Sequence, residues 1–358
     1  MKASTSAFKL WSNAPVGQSP ETIIAHALRR SFPATLAAAA AAILIAGSLR
    51  ADTVYFTSSS TDAIVSFDSM DPAGTMTTAA NLSLSARPEP LAWGPDGKIY
   101  IGANGDGGAI APSIVRLNPG TGALDLVYTF DAFDVFPGSL AFNSTDLLVG
   151  RNPFFGNTGP IVRLTNVTGG TIAVSDYTLD GSLASSPGIV LAVDGQLYVS
   201  DQTYNFISGV ASGAVKRFDA TGNYVDDVIG SGASGNFGPA GLAISGSTLY
   251  SASFMTGDVL KTNLGTGVTE LFGSAGAPSE VSSLAVLSNG DVLAGSSSGS
   301  GLIYHFNSSG VLTGTINTGF GQIGGIVVQP VPEPATLALA VGGVAALSCL
   351  TRRRQRRA

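Results

Sequence analysis

A single histidine, His305, is available for general acid–base work between residues 52 and 330; the other, His26, lies near the N-terminus. His305 falls in Ile303-Tyr304-His305-Phe306, a segment type that recurs along the chain with other residues at its place. It therefore reads as a surface-facing sheet position rather than a base. No Ser-His-Asp triad and no zinc-ligand cluster can be assembled around it. Gly102, Gly105, Gly107 and Gly108 make a glycine-rich loop, but a phosphate cradle needs a strand-to-helix context and none follows. Aromatic rings beside polar groups offer a different chemistry, stacking on sugars or gripping an extended peptide. The candidates for it are Arg151, Phe154, Phe155, Tyr204, Phe206 and Asp201, with Phe133, Phe136, Phe237, Phe320 and Asp134 around them. The same rings would serve equally to anchor glycine-rich loops by packing on the layer below.

Charge narrows the partners. Residues 52–330 hold 22 Asp and Glu against 8 Lys and Arg, a net charge of −14, while the whole chain is only −6 because both termini are basic. So acidic a surface repels phosphate backbones, so nucleic acid is not an expected partner. The one cysteine, Cys349, lies near the C-terminus, so the central region has no disulfide and no thiol chemistry. Its stability must come from a buried core, for which about 280 residues suffice in one all-β domain.

The elements that position these residues are legible as repeats. Ile64-Val65-Ser66-Phe67, Ile114-Val115-Arg116-Leu117, Ile161-Val162-Arg163-Leu164, Val215-Lys216-Arg217-Phe218, Val259-Leu260-Lys261-Thr262 and Ile303-Tyr304-His305-Phe306 start 50, 47, 54, 44 and 44 positions apart. Each runs into a glycine turn, at Gly74, Gly120, Gly169, Gly222, Gly265 and Gly310. Such spacing fits a four-stranded propeller blade. A second element, Leu91-Ala92-Trp93, Leu140-Ala141-Phe142, Ile189-Val190-Leu191, Leu242-Ala243-Ile244 and Leu284-Ala285-Val286, supplies inner strands. Asp96-Gly97, Asp194-Gly195 and Asn289-Gly290 then provide tight hairpin turns. The sixth copy is split between Gly325-Ile326-Val327-Val328 and Val54-Tyr55-Phe56-Thr57. Pairing last with first closes a ring and removes exposed edges. The expected fold is an all-β, six-bladed β-propeller with a split closing blade.

One copy also carries a family likeness. Pro187-Gly188-Ile189, Asp194-Gly195-Gln196-Leu197-Tyr198-Val199-Ser200-Asp201 and Val215-Lys216-Arg217-Phe218 resemble an NHL repeat, which implies the propeller fold but no particular activity. Arg87-Pro88-Glu89-Pro90-Leu91-Ala92-Trp93 resembles the start of gluconolactonase-like propellers, whose glutamate binds a divalent cation in the channel. That likeness implies Glu89, Asn104 and Asp201 as cation donors, with the glutamate one position out of register with Trp93. Hard cations want six or more oxygens, so Glu89 reads as a loop carboxylate and no metal or cofactor is expected.

The two ends read as addresses. Arg29-Arg30 precedes an alanine-rich apolar segment, Leu36 to Gly47, with small residues between Ser48 and Ala51. That is a secretory leader with a signal helix, and the mature chain should begin close to Asp52. Arg29-Arg30-Ser31-Phe32 also resembles a twin-arginine signal, with Pro33 where an apolar residue is usual; the general secretory route is the expectation. At the other end Pro332-Glu333-Pro334 leads into an apolar run, Ala335 to Leu350, followed by Arg352, Arg353, Arg354, Arg356 and Arg357. The run predicts a single transmembrane helix, short against the roughly 20 residues of a permanent span, with its arginines held in the cytoplasm. The prolines keep the chain extended and accessible to a protease.

These three ordered parts resemble the PEP-CTERM sorting tail of Gram-negative bacteria, read by the membrane protease exosortase. The resemblance implies cutting near Glu333 and delivery to the cell surface or the exopolysaccharide matrix of a biofilm. An ordinary single-pass anchor behind a proline-bounded linker is the alternative. The expected organisation is a leader over residues 1–51, a propeller over 52–330 and a sorting tail over 331–358. The expected function is a non-catalytic binding or adhesion module for polysaccharide or a matrix protein, first anchored in the inner membrane. The alternative is a divalent-cation-dependent, lactonase- or lyase-like enzyme.

Overall fold

The computed structural model describes residues 51–330, except for 83–85, 107–108, 132–134, 152–158, 179–182, 206–209, 232–236 and 277–278. The expected signal helix and transmembrane helix, and with them Pro332, Glu333, Pro334, Arg352, Arg353 and Arg354, lie outside the described residues. Among the described residues no helix is long and apolar enough to cross a membrane.

Glycine turns and alternating apolar residues produce antiparallel four-stranded sheets, six in all. The outer three strands of blade 1 are β1 (Thr53–Ser58), β2 (Ala63–Asp68) and β3 (Thr77–Asn81). A four-residue helix, α1 (Pro72–Thr75), lies between the last two and is capped by the Asp71 carboxylate, which accepts from Gly74 N–H. Blade 2 runs from β4 (Pro88–Trp93) through β5 (Ile99–Ala103) and β6 (Ser113–Leu117) to β7 (Leu124–Thr129). Blade 3 holds β8 (Pro137–Asn143), β9 (Asp146–Arg151), β10 (Val162–Thr165) and β11 (Ala173–Asp176). Blade 4 holds β12 (Ile189–Leu191), β13 (Leu197–Asn205), β14 (Val210–Phe218) and β15 (Tyr224–Ile229). Blade 5 holds β16 (Pro239–Ser245), β17 (Thr248–Ser253), β18 (Asp258–Asn263) and β19 (Thr269–Ser274), and blade 6 holds β20 (Val281–Val286), β21 (Val292–Ser296), β22 (Leu302–Phe306) and β23 (Leu312–Asn317). The last strand, β24 (Ile323–Val328), completes blade 1 by pairing antiparallel with β1, Val54 opposite Val328 and Phe56 opposite Ile326. The expected split closing blade is thus the one observed.

Each inner strand leads its blade on the ring axis. Pro88, Pro137 and Pro239 open β4, β8 and β16, as suits an edge strand, where the missing N–H costs no ladder bond. The second strands are buried on both faces, β5 along its whole length, because blades pack face to face around the ring. The core is accordingly a set of clusters between blades, such as Tyr100, Ile114, Leu140 and Val149 between blades 2 and 3, and Val54, Phe56, Leu293 and Ile326 between blades 6 and 1.

Across the outer strands the registers align an aromatic, a basic and an acidic residue. Tyr100, Arg116 and Asp125 are side by side in blade 2, and Tyr198, Arg217 and Asp226 in blade 4. Burial pushes both phenols above their ordinary value. His305 takes the basic place in blade 6, opposite Leu293, and its Nε2 lies 2.9 Å from Asp291 Oδ2. In β22 it holds the place that Arg116 holds in β6 and Arg217 in β14.

Candidate functional site

The strand directions sort the loops onto two faces. Inner strands run toward one face, where the first-to-second and third-to-fourth turns lie; the second-to-third turns and the inter-blade connections share the other. Among the described candidates, Arg151 at the end of β9 and Tyr204 near the end of β13 stand toward the face of the second-to-third turns. The body's two ends lie on the opposite face, where Gln329 N–H donates to Thr53 O at 2.8 Å.

Between them runs a central channel of roughly 350 Å³. Its wall is built from Pro90–Trp93, Gly138–Phe142 and Pro187–Leu191, with Gly241, Ser282, Ser283, Gly324 and Gly325 from the remaining inner strands. Those strands approach backbone to backbone. A Cβ at Gly325 would stand 2.5 Å from Glu89 O, and one at Gly188 2.1 Å from Ala240 O, so side chains are excluded there. In five of the six blades the inner strand carries one extra residue against its partner, as where Pro88 faces Ala103 but Leu91 faces Ile101. Such bulges re-aim the chain at a sheet edge. A belt of hydroxyl-to-carbonyl bonds fastens neighbouring blades around the axis: Thr57 Oγ1 to Glu89 O, Ser139 Oγ to Ser186 O at 2.6 Å and Ser200 Oγ to Ala240 O at 2.6 Å.

At the loop face Glu89, Gln202, Phe254, Ser297 and Gln322 line the channel mouth. Gln202 was not anticipated from the sequence; its Nε2 donates to Gly238 O at 3.2 Å. The residue ahead of the inner strand is left-handed without being glycine at Arg87 (φ 46°) and Glu280 (φ 43°), a strain found where neighbouring structure over-determines the backbone. Asn104 is fully buried at the end of β5 and neither side-chain polar atom has a partner among the described residues.

The sequence candidates fall as follows. Arg151 ends β9 half-buried, where its N–H donates to Ser186 Oγ and its Nε to Pro160 O at 3.1 Å. Asp201 commits both oxygens, Oδ1 to Ala184 N–H at 2.7 Å and Oδ2 to Lys216 Nζ at 3.2 Å. Tyr204 lies on an extension of β13: this strand and β14 are nine residues each and rise beyond the blade, Tyr204 opposite Ala211. Phe154, Phe155, Phe206, Phe133 and Asp134 lie outside the described residues. Phe136 and Phe237 are buried, and Phe320 packs edge-on against Phe56 with ring centres 6.0 Å apart. For these three rings packing is the observed role.

Of the donors implied by the gluconolactonase likeness, Glu89 lines the channel mouth and Asn104 is buried at the end of β5. Asp201 is spent on Lys216 and Ala184, and among the described residues no three His, Cys, Asp or Glu side chains converge.

No protein-family model matches the sequence, and no curated protein matches it. Solved structures match its shape. A structure of a nidogen/laminin complex aligns with a TM-score of 0.61 at 14% identity, covering 78% of this chain and 98% of that one. A catalytically inactive histidine-to-alanine form of virginiamycin B lyase from Staphylococcus aureus, with quinupristin, aligns at 0.51 and 17% identity over 73% and 79%. A streptogramin B lyase aligns at 0.51 and 18% over 79% and 81%. The chain is therefore a six-bladed β-propeller resembling NHL- and nidogen-type propellers and virginiamycin B lyase, a fold with members in binding and in lyase roles.

Proposed function

We propose that the protein is an exported, non-catalytic propeller, sorted by an exosortase-type protease, that binds polysaccharide at the cell surface or in the exopolysaccharide matrix. The observation that carries this reading is the division of the body into two faces. Its ends leave from one, next to the leader and the sorting tail read from the sequence. Arg151 and the paired strands β13 and β14, with Tyr204 opposite Ala211, reach toward the other. The channel supports it too, because a lining of glycine, serine, proline and aliphatic groups with Trp93 and Phe142 suits contact with a neutral ligand better than proton transfer.

The test is the double change Phe155→Ala with Tyr204→Ala, compared with the unmodified protein for retention on matrix polysaccharide and for thermal melting. Retention should fall at least tenfold, the consequence of losing roughly 1.4 kcal/mol, while the melting temperature stays nearly constant. Equal retention sinks the binding face. A large loss of melting temperature assigns the rings to packing, retention on matrix protein alone moves the partner class, and a stoichiometric divalent ion in the purified protein favours the lactonase- or lyase-like alternative.

A further inference from the structure

Asp52 is a carboxylate buried at the seam of the ring. It is 3% exposed and directly precedes β1, the strand that receives β24. Its Oδ2 accepts from Ser288 N–H at 2.7 Å, which ties blade 1 to the β20–β21 turn of blade 6. Its own N–H donates to Ser69 Oγ at 3.0 Å, and its carbonyl accepts from Ser69 N–H at 2.9 Å. The second carboxylate oxygen, Oδ1, is buried and has no partner among the described residues. A buried anion with an unsatisfied oxygen is costly, and a positive charge beside it removes the cost. Among the described residues no positively charged side chain bonds to Oδ1. Asp68, opposite Thr53, and Asp291 are acidic, and His305 is engaged by Asp291.

We propose that the chain is cut between Ala51 and Asp52, and that the α-ammonium so created docks against the Asp52 carboxylate and fastens the closing blade. This rests on the export reading above, because a leader peptidase must make the cut before the propeller folds. Hydrolysis adds one water to the Ala51–Asp52 amide. The hydroxyl goes to the Ala51 carbonyl, which leaves as a carboxylate, and the nitrogen leaves with Asp52 and takes up two protons, the water's second hydrogen and the one the new carboxyl sheds. The amide offered one donor, already given to Ser69; the ammonium offers three. One keeps Ser69 Oγ, one reaches Oδ1 of the same residue, and the third faces the place vacated by Ala51, a partly exposed residue. Removal of the leader thus completes the seam.

The test compares the chain beginning at Asp52 and running to Ala358 with the same chain retaining Ala51, each also as Asp52→Asn. The Asp52 start should melt at least about 2 °C higher, the shift expected in a domain of this size when one ion pair is lost. Asp52→Asn, which can still accept from Ser288, should abolish the difference. Equal melting of the two starts overturns the docking, as does a difference that survives Asp52→Asn. The intact mass of the exported protein should place its N-terminus at Asp52; a start elsewhere overturns the cut. Failure to find any exported, shortened protein would overturn the cut together with the export reading, while the melting comparison tests the docking by itself.

Discussion

Phe56 is the residue through which closure of the ring can be weighed. It is fully buried in β1, opposite Ile326 of β24, with ring centres 6.1 Å from Phe67 and 6.0 Å from Phe320. It therefore fills the cluster between blades 6 and 1 from the first strand of the body. Phe56→Ala removes that ring from a site whose walls are strands of two blades and cannot collapse inward, so the cost should lie at the usual range of about 3 to 5 kcal/mol. Against a total of roughly 5 to 15 kcal/mol, that is a large share. Leu126→Ala is the matched control, since Leu126 lies on the outermost strand of blade 2 and is 68% exposed; it should change stability by less than about 0.5 kcal/mol. Urea unfolding of both variants measures the difference directly, with the slope reporting whether unfolding remains a single transition. A Phe56→Ala cost below about 1 kcal/mol would refute the claim that the first strand locks the ring.

Two further outcomes follow from the geometry. Gly325→Ala places a methyl group 2.5 Å from Glu89 O, whereas Gly314→Ala meets nothing within 4 Å; the first should cost about 1 to 3 kcal/mol and the second almost nothing, as measured by denaturant midpoints. Hydrogen bonds from Thr221 and Asn223 hold the Asp219 carboxyl below its ordinary value. A depressed carboxylate stabilises above its unfolded pKa and loses that contribution as pH falls through the folded value, so the difference in melting temperature between the protein and Asp219→Ala should shrink from about pH 7 to about pH 2; an unchanged difference would contradict the assignment.

The fold was legible because its signals are local and repeated. The Ile-Val-x-Leu segments became the third strands, the Leu-Ala elements the inner strands, and Gly325–Val328 met Val54–Thr57 at the seam. His305 was legible for the same reason, as one more copy of a ladder position. A further signal stood unread in the prolines at 88, 137, 187 and 239. The first and third of these precede Leu91 and Ile189 by different intervals, and the shorter one falls in the blade whose inner strand shows no bulge. The candidate site was less legible because its contacts join distant segments. That Asp201 is bound by Lys216 and by the backbone of Ala184, that Gln202 rather than Asp201 reaches the mouth, and that Asp52 meets Ser288 across the seam all depend on side-chain directions at strand ends, which periodicity does not encode. Nor could it tell that Phe136 and Phe237 are buried, since an aromatic residue in a loop has the same sequence signature whether it packs or binds.

Whether the tail delivers this propeller to the surface is decided most directly by the C-terminal mass of the protein recovered from the surface or matrix fraction. The account predicts a C-terminus between Val331 and Ala335 and no arginine cluster, with the chain carrying Glu333→Ala retained in the inner membrane. Recovery of surface protein that still carries Arg352, Arg353 and Arg354 would contradict it.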